Sequence, residues 1–297
     1  MSAPLVSVIM NCYNGEEYLR QAIESVLAQT YANWEMIFWD NQSTDGSASI
    51  LRSYADCRVK YFYAPTHTLL YEARNFAVEK ASGEFLAFLD VDDWWLPDKL
   101  ERQIPLFSDP QVGIVCAKYW VQSERKAKRW VSPKRSMPTG WVLRDLLRLY
   151  FVGLLTLIIR RSALISLDRA FDSRFHIMGD TDLVIRLAVH WKLDCVQEPL
   201  AVYRLHANNE TAKHRGRMLG ELDGWITEME GVDAIRSCST FSSIRHLCTY
   251  HKAIDRLLHA ERKNAFELLL TLPWGRLKLR LFAAMLLPQF AVRRLKN

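Results

Sequence analysis

Short apolar runs alternate with stretches of helical periodicity along the first part of the chain. Leu5 to Met10 is an apolar, β-branched run closed by Asn11, Tyr13, Asn14 and Gly15, residues that favour turns, which predicts a buried strand ending in a loop. From Tyr18 the apolar residues Leu19, Ala22, Ile23, Val26 and Leu27 recur at helical spacing, and Glu35 to Trp39 returns to an apolar run before Asp40. The unit repeats as a helix from about Gly46 to Ala55, a strand at Val59 to Tyr63, a helix from about Leu70 to Ala81 and an apolar run at Phe85 to Leu89. Strands that alternate with helices in this way predict a parallel α/β sheet.

After Val112 to Tyr119 the rhythm changes. Arg125 to Pro138 is basic and contains proline, which predicts an exposed hairpin or loop, and a second apolar block follows at Phe151 to Ile159. Asp180 to His190 reads as a helix with Leu183, Leu187 and Trp191 on one side, followed by strand-like segments at Leu193 to Val196 and Leu200 to Leu205. Beyond about Thr211 the pattern is helical throughout, so the chain divides into a sheet domain over 1–210 and a helical, basic extension over 211–297. Neither a solenoid-type repeat nor a low-complexity segment interrupts this order.

Composition narrows the class. The chain has 297 residues, of which 49% are hydrophobic and 24% charged, the balance of a globular protein with a sizeable core and not of a disordered one. The formal net charge of +6 is uneven: from Arg245 onward 11 Lys and Arg face 3 acids, so that segment carries +8 and the remainder −2. With no nucleic-acid motif and the charge confined to the tail, no nucleic-acid partner is expected. The six cysteines are scattered without a Cys-x-x-Cys pair, which predicts a reduced, cytosolic protein. Met1 to Met10 lacks the basic start of a signal peptide, and no apolar run reaches the ~18 residues that a spanning helix needs.

In parallel sheets ligands bind outside the carboxyl ends of the strands, which directs attention to Asn11 to Tyr13, Asp40 to Asp45 and Asp90 to Asp93. Asp90-Val91-Asp92-Asp93 places three carboxylates directly after a buried run, where their mutual repulsion calls for a cation. Hard cations such as Mg²⁺ and Mn²⁺ take carboxylate, water and phosphate oxygens, so a diphosphate-bearing substrate would complete such a site. The plainer alternative is that these acids cap a helix starting at Trp94. A phosphatase-like site with Asp90 as nucleophile fits less well, because Trp94 and Trp95 stand where small polar residues would surround a phosphoryl group.

Taken with its surroundings, the cluster resembles the Asp-x-Asp motif of inverting glycosyltransferases of GT-A fold, of the family 2 type. Val6-Ser7-Val8-Ile9-Met10-Asn11-Cys12-Tyr13-Asn14 is similar to that family's nucleotide-binding start. Asp40-Asn41-Gln42-Ser43-Thr44-Asp45-Gly46, Ala73-Arg74-Asn75, Ala81-Ser82-Gly83-Glu84-Phe85 and Leu96-Pro97-Asp98-Lys99-Leu100 follow in the family's order. Gly179-Asp180-Thr181-Asp182-Leu183 and Tyr203-Arg204-Leu205-His206 resemble its acceptor-side and closing motifs, so the likeness runs from about Leu5 to Asn209. There are departures: the family commonly has Asp at Asn41, often Glu at Gly179, and Pro-Thr at Asn11-Cys12.

The resemblance implies a Rossmann-like GT-A domain: a mixed, mainly parallel sheet flanked by helices, with a C-terminal helical extension. It implies transfer of a sugar, with inversion, from a nucleoside diphosphate donor, most simply UDP-linked, to a hydroxyl of a glycan or lipid-linked saccharide in cell-surface polysaccharide synthesis. In that scheme Asn11, Tyr13, Asp40, Arg74, Asp90 and Asp92 bind the donor, with Tyr13 stacking on the base and Asp40 accepting its imide N–H. Asp92 and His206 hold Mn²⁺ or Mg²⁺, Asp180 is the general base, and Asp93, Asp182 and Arg204 support them. Each residue also has a plainer reading: loop packing for Tyr13, a turn for Asp40, a surface ion pair for Arg74, a helix N-terminal pair for Asp180 and Asp182, and an exposed loop for His206.

Two rival functions stay open, a catalytically inactive donor-binding scaffold and a metal-dependent sugar-phosphate hydrolase; an Asp180 far from the acidic cluster would favour the first. Trp94, Trp95, Trp120, Trp130 and Trp141 are candidates for sugar stacking, with aromatic packing as the alternative. In the tail, Leu277, Leu279, Leu281, Phe282 and Met285 to Leu287 interleave with Arg276, Lys278, Arg280, Arg293, Arg294 and Lys296. Such a segment suits either the surface of an anionic membrane, with the protein peripheral on the inner face of the plasma membrane, or packing against protein.

Overall fold

A computed structural model describes residues 3–207, 209 and 215–287, and the chain divides into two compact units, 1–213 and 214–297. The first opens with β1 (Val6–Cys12), α1 (Glu16–Leu27), β2 (Trp34–Asp40), α2 (Ser47–Arg52), β3 (Val59–Tyr63), α3 (Leu70–Glu79) and β4 (Phe85–Phe88). It continues with β5 (Trp94–Trp95), α4 (Lys99–Gln103), β6 (Val112–Ser123), β7 (Lys128–Ser132), α5 (Leu143–Arg148), β8 (Ile158–Arg160), α6 (Arg161–Ile165), α7 (Gly179–Ala188) and β9 (Lys192–Leu205).

The strands form one sheet in the order β3-β2-β1-β4-β8-β6-β9-β5, with β7 paired to β6. β1 runs parallel to β2 and β4, β2 parallel to β3, and β6 parallel to β9, whereas β8 is antiparallel to both β4 and β6. The sheet is therefore mixed, as expected, with most paired residues parallel. The basic stretch after Val112 forms the β6–β7 hairpin. The two strand-like segments after α7 are one strand, β9, whose register against β6 shifts where Ala117 pairs Val196 and Lys118 pairs Pro199. Proline has no N–H for the ladder, so the irregularity falls there and the apolar pattern breaks in two.

Leu19, Ala22, Ile23 and Val26 of α1 are buried against the face of β1 formed by Val6, Val8, Met10 and Cys12, and Trp34, Met36 and Phe38 of β2 complete this layer. The parallel register sets Cys12 beside Asp40 and Ile9 beside Phe88, so the turns after β1, β2 and β4 emerge at one edge of the sheet. That edge carries the candidate site. The two tryptophans after the acidic cluster form β5, paired with Val202 and Ala201, and not a helix, so the cluster caps nothing.

At the opposite end Glu35 ties three segments together. Its carboxylate accepts from Ser7 Oγ at 2.6 Å, from Lys60 Nζ at 2.5 Å, and from both the backbone N–H and the hydroxyl of Ser82 at 2.7 Å. Burial alone would raise its pKa, but Lys60, Ser7 and Ser82 outweigh that and hold it at about 2. A depressed carboxylate stabilises the fold above its unfolded pKa and loses that contribution as pH falls toward the folded one. Glu35→Gln is expected to cost about 2–3 kcal/mol of unfolding free energy at pH 7, and less than half of that at pH 3. Urea unfolding at the two pH values measures it, and an equal cost at both would contradict the assignment.

The second unit is helical: α8 (Arg215–Met229), α9 (Asp233–Arg236), α10 (Ser239–Leu258), α11 (Arg262–Thr271) and α12 (Arg276–Leu286). Ala253, Ile254 and Leu257 of α10 pack with Ala265 and Leu269 of α11, with Leu272, and with Leu281 and Ala284 of α12. No described helix is long and apolar enough to cross a membrane. Arg293, Arg294 and Lys296 lie outside the described residues.

Candidate active site

A cleft of about 900 Å³ opens at the carboxyl edge of β1 and β4. Asn11 to Gly15, the β4–β5 turn, the loop before α3, the N-terminus of α7 and the residues after β9 line it, and Asn11, Tyr13, Arg74, Asp90, Asp92, Asp93, Asp180 and His206 all meet there.

Arg74 projects from α3 and is 2% exposed, so it is no surface ion pair. Its Nη2 donates to Asp90 Oδ1 at 2.6 Å, and its guanidinium lies 5.4 Å from the Tyr71 ring and 5.5 Å from that of Phe171. A charge-assisted bond from a buried guanidinium fixes Asp90 at the cleft wall. Asp92 Oδ2 lies 2.9 Å from His206 Nε2, and Asn209 Nδ2 reaches the same oxygen at 3.4 Å. Burial and then the neighbouring Asp90 raise the pKa of Asp92, and His206 pulls against them.

Asp93 is buried, accepts the backbone N–H of Arg204 at 2.9 Å, and is raised well above the ordinary carboxylate range by burial, Asp92 and Asp90. Its bond to Arg204 joins the turn to β9. Arg204 works from behind the cleft: Nε donates to the Asp92 carbonyl at 3.0 Å, while the guanidinium lies over the Tyr18 and Trp94 rings at 4.3 and 4.7 Å.

Asp180 stands at the start of α7, where the helix dipole favours a carboxylate. Its Oδ1 accepts the Thr181 N–H at 2.8 Å, and the Tyr71 hydroxyl lies 3.4 Å away while making its shorter bond to the Ile177 carbonyl at 3.0 Å. Burial raises its pKa, opposed by the Thr181 N–H and Arg74 and reinforced by Asp90. The glycine before it has a steric reason, since a Cβ at Gly179 would sit 2.6 Å from the Tyr71 ring. Tyr71 fills the space that a glutamate, common in the family, would need.

Other expected positions face elsewhere. Asp40 is fully buried outside the cleft lining, accepting the Ser43 N–H at 2.7 Å and the Tyr61 hydroxyl at 2.8 Å. Burial and this bond push the Tyr61 pKa up to about 12. Asp182 is on the buried side of α7, paired with Arg186 Nη2 at 2.8 Å, and Arg186 in turn donates to the Arg169 and Ala170 carbonyls. Of the residues after β2 only Asn41 lines the cleft, because Ser43 and Asp45 brace the neighbouring loop by accepting the N–H groups of Asn14 and Glu16, both at 3.0 Å. None of Trp94, Trp95, Trp120, Trp130 and Trp141 lines it. Trp95 is buried and donates to the Leu155 carbonyl at 2.7 Å.

His67, Thr68, Tyr71 and Asn209 line the cleft without having been singled out from the sequence. Asn209 carried no local signal: its Oδ1 accepts the His206 N–H at 2.7 Å, a bond that runs back along the chain, opposite to an Asx turn. His67 carried none either. Its Nδ1 lies 2.8 Å from the Asn41 carbonyl, so Nδ1 bears the proton, and its ring packs on Tyr13 with centroids 4.3 Å apart. Asn41 also donates from Nδ2 to the Thr68 carbonyl at 2.8 Å. An aspartate, common here in the family, could not make that bond. Asn11 is buried and neither end of its amide has a protein partner.

The chain is 35% identical over 160 residues to "Putative teichuronic acid biosynthesis glycosyltransferase TuaG" of Bacillus subtilis, covering 53% of this chain and 63% of that protein. It is 34% identical over 161 residues to "UDP-Glc:alpha-D-GlcNAc-diphosphoundecaprenol beta-1,3-glucosyltransferase WfgD" of Escherichia coli, covering 54% of this chain and 62% of that one. The match thus spans less than two thirds of either relative. In fold, the chain resembles S. aureus TarS 1-349 in complex with UDP-GlcNAc, with a TM-score of 0.68 and 16% identity over 90% of this chain and 81% of that one. The fold is that of the GT-A glycosyltransferases, and the glycosyl transferase family 2 signature matches residues 7–165, more than half of the sequence: the chain belongs to glycosyl transferase family 2.

Proposed function

We propose that the protein transfers a sugar, with inversion, from a UDP-linked donor to a hydroxyl of a lipid-linked or growing surface saccharide. The observation that carries this reading is that Asp180, the Arg74–Asp90 pair and the Asp92–His206 pair line one cleft. An Asp180 remote from the acidic cluster would have favoured an inactive scaffold; it shares the wall of the same cleft. The UDP-glucose and the diphosphoundecaprenol in the name of the E. coli relative support the donor and acceptor classes.

The metal expectation can be tested against the donor set. Asp92 Oδ2 and His206 Nε2 lie 2.9 Å apart at the cleft, a carboxylate oxygen and an imidazole nitrogen of the kinds that Mn²⁺ accepts, the carboxylate suiting Mg²⁺ as well. No group of three or more metal-ligating residues converges among the described residues, so water and donor diphosphate would have to complete the site. Asp92 and His206 would therefore hold Mn²⁺ or Mg²⁺. When bound, the cation supplies Lewis-acid stabilisation of the departing diphosphate.

The rest falls to the chain's own side chains. Arg74 fixes Asp90 beside the donor, Asn11 offers an unpaired donor and acceptor, and Asp180 takes the proton of the acceptor hydroxyl as that oxygen attacks the anomeric carbon. A single displacement inverts the configuration.

Base reading passes from Asp40 to His67 in this proposal. Both Asp40 oxygens are committed inside the fold, whereas His67, protonated at Nδ1, keeps Nε2 as an unpaired acceptor beside the exposed Tyr13 ring. Such an acceptor suits the imide N–H of uracil and opposes the bare ring nitrogen of cytosine. Titration calorimetry with Mn²⁺ present is expected to show UDP bound about 10-fold more tightly than CDP, with the preference largely lost in His67→Ala. If neither nucleotide binds, the transferase reading fails; if UDP is preferred equally by both proteins, only the role of His67 fails. Sugar-phosphate hydrolysis would show itself as free phosphate without glycoside.

A further inference from the structure

Among the described residues of the helical unit, one apolar face stays exposed. On α12, Leu281 and Ala284 point into the core, while Leu279, Phe282 and Leu286 follow one another at helical spacing on the outside and are 59%, 53% and 73% exposed. Trp274, just before the helix, is 84% exposed, and Leu270 at the end of α11 is 61% exposed. A soluble helix buries such residues, and a stripe of this kind needs an occupant.

Charge selects that occupant. Glu267 is the last acid of the chain, and Leu268 to Asn297 carries six Lys and Arg with no Asp or Glu. Arg276 and Arg280 are exposed on α12 beside the apolar stripe. Lys278 donates to the Leu272 carbonyl at 2.7 Å and lies 5.2 Å from the Trp274 ring, holding a cation next to the aromatic. A second copy of the chain would bring the same cationic rim against this one, and residues 288–297 add three further cations and no acid. An anionic surface with an apolar interior satisfies both features, since the stripe can bury in the acyl boundary while the arginines meet headgroup phosphates.

We infer that the Trp274–Leu286 face is a membrane-docking surface that seats the protein on anionic lipid. The cations set the preference for charged headgroups, and Trp274, Phe282 and Leu286 supply the insertion. This inference stands on the second unit alone and does not depend on the chemistry of the cleft.

The test uses the full chain and co-sedimentation with phosphatidylcholine vesicles, with and without about one third phosphatidylglycerol. Binding is expected to be at least ~10-fold stronger to the anionic vesicles, to weaken about 10-fold or more in Arg276→Glu with Arg280→Glu, and to be lost in Phe282→Ser with Leu286→Ser. All four positions are exposed, so the variants are expected to keep the wild-type melting temperature, which is checked alongside. Absence of binding, or binding indifferent to the headgroup or to both variants, overturns the inference. So does light scattering that shows a dimer dissolved by Phe282→Ser with Leu286→Ser, which would make a second copy the occupant.

Discussion

Asp180→Asn is expected to bind UDP as the wild type does and to transfer sugar about 10²–10⁴-fold more slowly, the range usually lost with a general base. The amide keeps the shape and can still accept the Thr181 N–H, but it cannot take the proton of the attacking hydroxyl. Because burial raises the Asp180 pKa, protonation silences it at a higher pH than it would an exposed aspartate. The wild-type rate should therefore decline on the acid side from above the ordinary carboxylate range, and that limb should be missing from the residual activity of the variant. The same raised pKa makes the charged form a cost to the fold at neutral pH, so Asp180→Asn should melt no lower than the wild type. Initial rates across pH, a UDP titration and a thermal melt decide the matter; a variant retaining a tenth of the rate would remove Asp180 as the base.

Asp92→Asn is expected to act on a different step. It should weaken Mn²⁺-dependent UDP binding by at least ~100-fold and abolish most transfer, while leaving metal-free UDP binding unchanged. His206 Nε2 and Asn209 Nδ2 both meet Asp92 Oδ2, so the substitution removes the charge on which a cation would depend without opening a space. Burial first, and then repulsion among the three crowded carboxylates, raises the pKa of both Asp92 and Asp93, so removing one of these charges should be tolerated by the fold. Calorimetry with and without Mn²⁺ separates the contributions. If metal-free and metal-dependent binding fall together, Asp92 positions the turn and does not hold a cation.

The two substitutions also separate reading a motif from reading a site. Asp180 and Asp182 stand two residues apart on one helix, and local pattern treats them alike, yet one meets the cleft and the other is paired with Arg186 beneath it. A helix turns about 100° per residue, so neighbouring acids separate by nearly half the circumference. Asp40 likewise closes β2 and Asp90 follows β4, the two apolar strands that flank β1. Asp40 is enclosed because Tyr61, paired in the neighbouring strand, brings a hydroxyl to it, whereas Asp90 meets a guanidinium from α3 at the cleft wall.

What the sequence by itself determined was the local part: the alternation of strands and helices from β1 to β4, that acidic residues follow β4, and that Asn11 and Tyr13 lie near the carboxyl edge. These follow from periodicity over a few residues, because the solvent-facing and core-facing sides of a strand or helix are set by spacing alone. Only the tertiary structure decided which acids face the cleft, that the stretch after Asp93 is a strand and not a capped helix, and that His67 stands beside Tyr13. Those outcomes depend on partners far away along the chain, with His206 114 residues from Asp92 and Arg204 111 from Asp93. A buried carboxylate takes its state from whichever donor or cation the fold brings within about 3 Å, and no local pattern encodes that distance.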